Sequence, residues 1–209
     1  MIRSWPVKTI PDELINKILE FYKNQKPYDK HFSGKDLRGK VPQMFELPEL
    51  YTFLLSIGYR FDEQRVHGNY LDTQLHYPIH TDSIEENSTI ILIPLYVPKN
   101  SYSYLFILDQ KYEGEATTFC KQPWKTGSNT MLREYDESNV INYNKNAWDQ
   151  RINDLGVQLT EDTLQGMSLD TMYRWKVGSM ISWPTNQLHF AIADPGENKI
   201  GLSIRIVLK

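Results

Sequence analysis

Apolar positions fall into two regimes along the chain. Before Tyr59 they recur at helical spacing. Leu14, Ile15, Ile18, Leu19 and Tyr22 make one apolar face behind Pro11, with Asp12 and Glu13 in the first turn, where a helix favours acids. Pro48 to Ile57 predicts a second helix, stopped at Gly58. Between the two, Lys26–Lys40 is polar and reads as a loop. From Tyr59 onward the texture changes to short β-branched and aromatic runs: Gln64–Tyr70, Leu75–His80, Ser88–Val97, Tyr102–Leu108 and Ala116–Cys120. A second set follows at Thr171–Val177, Met180–Trp183, Leu188–Ala193 and Lys199–Leu208. Turn formers separate most of these runs, and no long helix intervenes. The pattern predicts a mainly β fold with flanking helices, built as a double-stranded β-helix, or jelly roll. Residues 1–60 then act as helical support and residues 61–209 as the core of a single domain. The polar Lys121–Asp170 segment reads as an insertion between core strands, with short helices at Asn146–Leu155 and Thr160–Gln165. An insertion of that length in a compact core is expected to be a lid, a binding surface or a flexible segment.

Composition narrows the class. The 209 residues are 40% hydrophobic and 23% charged, which is ordinary for a globular protein able to bury a substantial core. Net charge is −3, so there is no broad electrostatic footprint for nucleic acid or an anionic membrane. The one cysteine, Cys120, cannot form an internal disulfide. The Met-Ile-Arg-Ser-Trp-Pro start has no apolar leader core, and no run approaches the length of a membrane span. A soluble protein of the reducing cytoplasm is expected.

The chemistry concentrates in four residues. His80-Thr81-Asp82 ends one predicted strand, His189 opens another, and Arg205 stands near the end of the last. In an extended chain residues i and i+2 share a face, so His80 and Asp82 can reach one ion together while Thr81 turns away. Two imidazoles and a carboxylate are the facial triad of non-heme iron, a set that leaves coordination positions open where a structural zinc site would be closed. A lone His-x-Asp arises often by chance, and His67 and His76 are nearby histidines with no such role. The assignment rests on order, spacing, strand context and the arginine that follows. On the final run, Gly201, Ser203, Arg205 and Val207 alternate with Leu202, Ile204, Ile206 and Leu208. An arginine inside an apolar strand is costly unless paired, and a carboxylate gripped by its two-pronged head is a natural partner, with Ser203 adding a hydrogen bond.

On these residues the chain resembles the iron(II)- and 2-oxoglutarate-dependent oxygenases, over the strand-rich part from Gln64 to Lys209. Gly178-Ser-Met-Ile-Ser-Trp-Pro is similar to the family's strand before the distal histidine. Tyr70 stands where prolyl-hydroxylase-like members place a tyrosine that touches 2-oxoglutarate. The texture also resembles small phage and bacterial members. The resemblance implies Fe(II) on His80, Asp82 and His189, and 2-oxoglutarate with its far carboxylate on Arg205, Ser203 and Tyr70. With O2 as the further co-substrate, such an enzyme hydroxylates an unactivated C–H bond and releases succinate and carbon dioxide. The primary substrate is expected to be a small molecule or a protein side chain, with Trp183, close in sequence to His189, as its candidate wall. No second arginine follows Arg205 at the spacing of nucleic-acid-repair members, which with the negative charge argues against a nucleic-acid substrate. Two other classes stay open on the residues alone: a cupin-like metalloenzyme that needs no 2-oxoglutarate, and a non-catalytic jelly-roll binding module.

Overall fold

A computed structural model gives the protein's structure. It describes residues 1–23, 25–26, 29–31, 36–73, 77–83, 85, 87–99, 101, 103–113, 140–142, 166–192 and 198–209. The expected strand Ala116–Cys120 and both short helices of the expected insertion lie outside the described residues, as do Trp124, Trp148 and His76.

The element order is β1 (Arg3–Trp5), α1 (Asp12–Lys23), β2 (Asp29–His31), β3 (Asp36–Lys40), α2 (Pro48–Ser56), β4 (His67–Thr73), β5 (Tyr77–His80) and β6 (Ser88–Tyr96). It continues with β7 (Tyr104–Tyr112), β8 (Val140–Ile141), β9 (Leu169–Arg174), β10 (Met180–Pro184), β11 (Gln187–Ile192) and β12 (Lys199–Val207). Two antiparallel sheets result. The larger runs β1-β10-β6-β12-β4-β3-β2, and the smaller runs β5-β11-β7-β8 with β9 also paired to β7. Strands β4, β6, β10 and β12 lie in the large sheet, and β5, β7, β9 and β11 in the small one. The chain therefore crosses repeatedly from sheet to sheet, which is the winding of a jelly roll.

Strand alternation sorts the residues into layers. One face of the large sheet carries Ile91, Ile93, Met180, Leu202, Ile204 and Ile206, and it packs on Leu14, Ile15, Ile18, Leu50 and Leu54 of the two helices. Proline and acids open each helix, and the apolar spacing supplies the face that meets the sheet. The opposite face carries Ile90, Leu92, Ile181 and Trp183, which meet Leu105, Ile107, Tyr173 and Trp175 of the small sheet. Polar residues interrupt this inter-sheet layer, and a cavity opens there.

Two helices and most strands match the patterning within a few residues. The main difference is Lys26–Lys40, expected as a loop. It contributes the outer strands β2 and β3, which pair with each other and, through Leu37↔Asp72 to Lys40↔Asn69, with β4. Backbone pairing at a sheet edge needs no apolar alternation, so a polar sequence hides it.

Gly68 holds the register of β4 against β12. Its φ is +148°, and a Cβ there would run into the Ser203 carbonyl across the strand pair. Gly68→Ala is expected to cost about 3 kcal/mol or more through strain at a special backbone position. A thermal melt checks this, and a midpoint within about 2 °C of wild type would refute it.

Candidate metal centre and cavity

His80 and His189 are register partners across β5 and β11. Asp82 follows two residues after His80 and is tied to the β10–β11 turn: its N–H and that of Ser83 both donate to the Thr185 carbonyl, at 2.9 and 3.3 Å. Thr185 in turn donates its N–H to Ser88 at 3.2 Å. Each sheet thus braces one part of the cluster. The imidazole centroids lie 4.1 Å apart. Asp82 Oδ2 is 3.3 Å from His189 Nε2, and Oδ1 is 4.0 Å from His80 Nε2. One donor atom from each of the three residues lies within 4.8 Å of the other two.

The protonation of His189 tests whether a cation belongs here. Burial, reinforced by His80, pushes its pKa down to about 4, against the opposing pull of Asp82 and the Gln187 backbone. The ring is therefore neutral at physiological pH, and the short approach to Asp82 is not an ion pair. A neutral imidazole has one proton, yet two acceptors face this ring: the Gln187 carbonyl, 2.9 Å from Nδ1, and Asp82 Oδ2, facing Nε2. Both can only accept, and the shorter contact, to the Gln187 carbonyl, takes the proton on Nδ1. The Nε2 lone pair is then left facing a carboxylate oxygen that is buried and makes no hydrogen bond among the described residues. A metal ion between them resolves the conflict, and an outer hydrogen bond on Nδ1 is the usual way a protein orients a metal-binding histidine.

The cluster forms one end of a cavity of about 310 Å³ between the sheets. From the large sheet it is lined by Asn69, Leu71 and Thr73 of β4, Leu92 of β6, Trp183 of β10, and Lys199 and Ser203 of β12. Leu105, Trp175 and Ala191 close it from the other side. Of the six described residues with a buried polar side-chain atom that lacks a hydrogen bond, four line this cavity: Thr81, Asp82, Trp175 and Trp183. Unsatisfied groups are rare in folded proteins, and their gathering in one place marks a site that awaits a ligand. Trp183, the expected substrate wall, lies with its ring 4.9 Å from that of His189.

The co-substrate residues expected from sequence divide. Ser203 lines the cavity. Tyr70 does not: it pairs with Leu202, on the helix-facing side of the sheet, and stacks on Tyr22 at 4.0 Å. The register partner of Ser203 is Asn69, so the residue of β4 that turns inward is Asn69. Arg205 shares the face of Ser203 but stands further along β12, opposite Ile90 and His67, and it does not line the cavity. The cation that does is Lys199, which is 2% exposed. Its Nζ donates to the Ile192 carbonyl at 3.0 Å and lies 4.3 Å from the centroid of the Trp175 ring. Ile192 is three residues from His189 on β11, about 10 Å along the strand. Metal cluster and buried lysine thus line one cavity, set about 10 Å apart along β11. Lys199 is in phase with Ser203 on β12, and that phase was the available sequence signal for it.

No protein-family model matches the chain. No curated protein matches it by sequence. Solved structures do match. HygX from Streptomyces hygroscopicus, crystallised with nickel and 2-oxoglutarate bound, aligns over 100% of this chain and 83% of its own, with 9% identity and a TM-score of 0.57. SnoK, a non-heme alpha ketoglutarate dependent carbocyclase from nogalamycin biosynthesis, aligns over 98% and 78%, with 12% identity and a TM-score of 0.53. The epimerase SnoN, in complex with Fe3+, alpha ketoglutarate and nogalamycin RO, aligns over 98% and 78%, with 11% identity and a TM-score of 0.52. The chain has the jelly-roll fold of these enzymes. At such identities the likeness is one of fold. Among the described residues, no helix is long and apolar enough to cross a membrane.

Proposed function

We propose that the protein is an Fe(II)- and 2-oxoglutarate-dependent dioxygenase that hydroxylates an unactivated C–H bond of a small molecule or a protein side chain. The observation that carries this reading is the pairing of a His-Asp-His cluster with a buried lysine in the lining of one cavity. The bound ligands of HygX and SnoN support it, because their fold holds a metal and 2-oxoglutarate together.

His80, Asp82 and His189 would hold the iron. Lys199 would hold the far carboxylate of 2-oxoglutarate, in the role first expected of Arg205, with Ser203 and Asn69 as neighbouring polar groups. When bound, iron and 2-oxoglutarate supply the oxidising chemistry, coupling O2 to decarboxylation of the 2-oxo acid and leaving succinate, carbon dioxide and a hydroxylated product. The chain itself orients and shields. The Gln187 carbonyl fixes the His189 ring, and the Thr185 carbonyl fixes the Asp82 backbone. Leu92, Leu105, Trp175 and Trp183 keep the interior apolar, which strengthens the hold of the ammonium on an anion. Trp183 beside His189 is the wall we assign to the primary substrate. We place the enzyme in the cytoplasm, with no nucleic acid as substrate.

An anaerobic titration of metal-free protein with Fe(II) and then 2-oxoglutarate tests the reading. The expected result is the visible charge-transfer band of a chelated 2-oxo acid, followed by succinate release once air is admitted. Iron uptake with no band would sink the 2-oxoglutarate assignment. Failure to take up iron would sink the metalloenzyme assignment altogether.

A further inference from the structure

A lysine is an awkward ruler. Its ammonium rides on a flexible four-carbon stem, so something must fix where the charge sits. In this cavity the Ile192 carbonyl and the face of Trp175 form part of that seat. Trp175 is 5% exposed, and its backbone N–H donates to the Ser103 carbonyl at 2.9 Å, which ties it to the start of β7. The outer edge of its ring rests on bare backbone: a Cβ on Gly201 would stand 2.7 Å from both Cη2 and Cζ3. Gly201 lies on β12 between Lys199 and Ser203, the two residues of that strand that line the cavity. The indole can lie across the strand there only because position 201 has no side chain.

We propose that Trp175, seated on Gly201, sets the chain length of the 2-oxo acid that the protein accepts. By fixing the ammonium of Lys199 at one distance from the metal cluster, it selects a five-carbon 2-oxo dicarboxylic acid over its four- and six-carbon homologues. This rests on the co-substrate reading above and adds the residue pair that enforces it. The same flexible lysine without its aromatic seat would follow the carboxylate of a shorter or longer acid.

The test is a set of anaerobic binding titrations on the full chain loaded with Fe(II), using oxaloacetate, 2-oxoglutarate and 2-oxoadipate. Wild type is expected to prefer 2-oxoglutarate by about tenfold or more, the scale at which a fitted pocket reads one methylene. Trp175→Leu should bring the three affinities within about threefold of one another while iron affinity is unchanged, because only the seat is lost. Gly201→Ala should act the other way, its methyl driving the ring into the cavity. It should weaken 2-oxoglutarate by about tenfold and spare oxaloacetate. Trp175→Phe retains an aromatic face and should rescue part of the preference, which a purely structural tryptophan would not predict.

Two results overturn the proposal. One is an unchanged wild-type preference in Trp175→Leu. The other is a loss of all three acids by the same factor in both Trp175→Leu and Gly201→Ala. If iron-loaded wild type binds none of the acids, the co-substrate reading itself fails and the gauge falls with it. If it binds 2-oxoglutarate and the variants do not alter the preference, only the gauge fails.

Discussion

Asp82→Ala is expected to remove iron binding without weakening the metal-free protein. The two halves of this result have one cause. Asp82 Oδ2 is buried, has no hydrogen bond among the described residues and faces the lone pair of His189 Nε2 at 3.3 Å. A buried polar group left in that condition is a cost to the fold, and truncating it relieves the cost. The same truncation takes away the only anionic member of the cluster. Loss of an outer hydrogen-bond partner already costs a metal site about 10–100-fold in affinity, and loss of a ligand should exceed that range. Thermal melts with and without Fe(II) read both effects. Wild type should gain stability on adding iron by mass action, whereas Asp82→Ala should start at an equal or higher midpoint and gain nothing. A metal-free variant that melts well below wild type would mean that Asp82 serves the fold rather than an ion.

The second large effect separates two cations on one strand. Lys199→Met should abolish tight binding of 2-oxoglutarate and leave iron binding intact, whereas Arg205→Met should change 2-oxoglutarate affinity by less than about threefold. Removing one partner of a buried, hydrogen-bonded charge pair costs about 2–5 kcal/mol, which is roughly thirtyfold to several thousandfold in affinity. Lys199 meets that description, being almost wholly buried in the cavity wall. Arg205 is six residues away, about 20 Å along an extended strand, and cannot serve the same carboxylate. Calorimetry on iron-loaded protein gives the ranking. The reverse order, with Arg205→Met crippling and Lys199→Met tolerated, would reinstate the anchor expected from sequence and displace the one read from the cavity.

The proposed exchange of Arg205 for Lys199 shows where the sequence is legible and where it is not. His80 and Asp82 are adjacent on one face by the period of a strand, and the cavity-lining Ser203 follows from the same rule. Strand phase also put Lys199 and Arg205 on one face, but phase is silent about which of the two sits over a cavity. That depends on where β12 passes the metal cluster in the opposite sheet, a relation between strands far apart in the chain. Tyr70 failed for a related reason. Whether it or Asn69 turns inward depends on the pairing of β4 with β12, and a register is not written in either strand alone. Trp175 could not be singled out from the other tryptophans because the role proposed for it depends on the absence of a side chain at Gly201. Of the fold, the core strands were readable because their residues alternate or are buried on both faces. The edge strands β2 and β3 were not, because they join the sheet through backbone hydrogen bonds that any residue but proline can donate.

The pairing of His80 with His189 has a consequence for how the protein comes into being. These two ligands belong to strands from the middle and the end of the chain, and they meet only when β11 zips onto β5. Contacts of such sequence separation form late, after the entropy of closing the intervening chain has been overcome. If the cluster holds iron as proposed, a growing polypeptide can take none there until β11 is made and paired. The ion would then act as a seal on the folded core rather than a nucleus for it, and chains lacking β11 would stay free of a reactive metal.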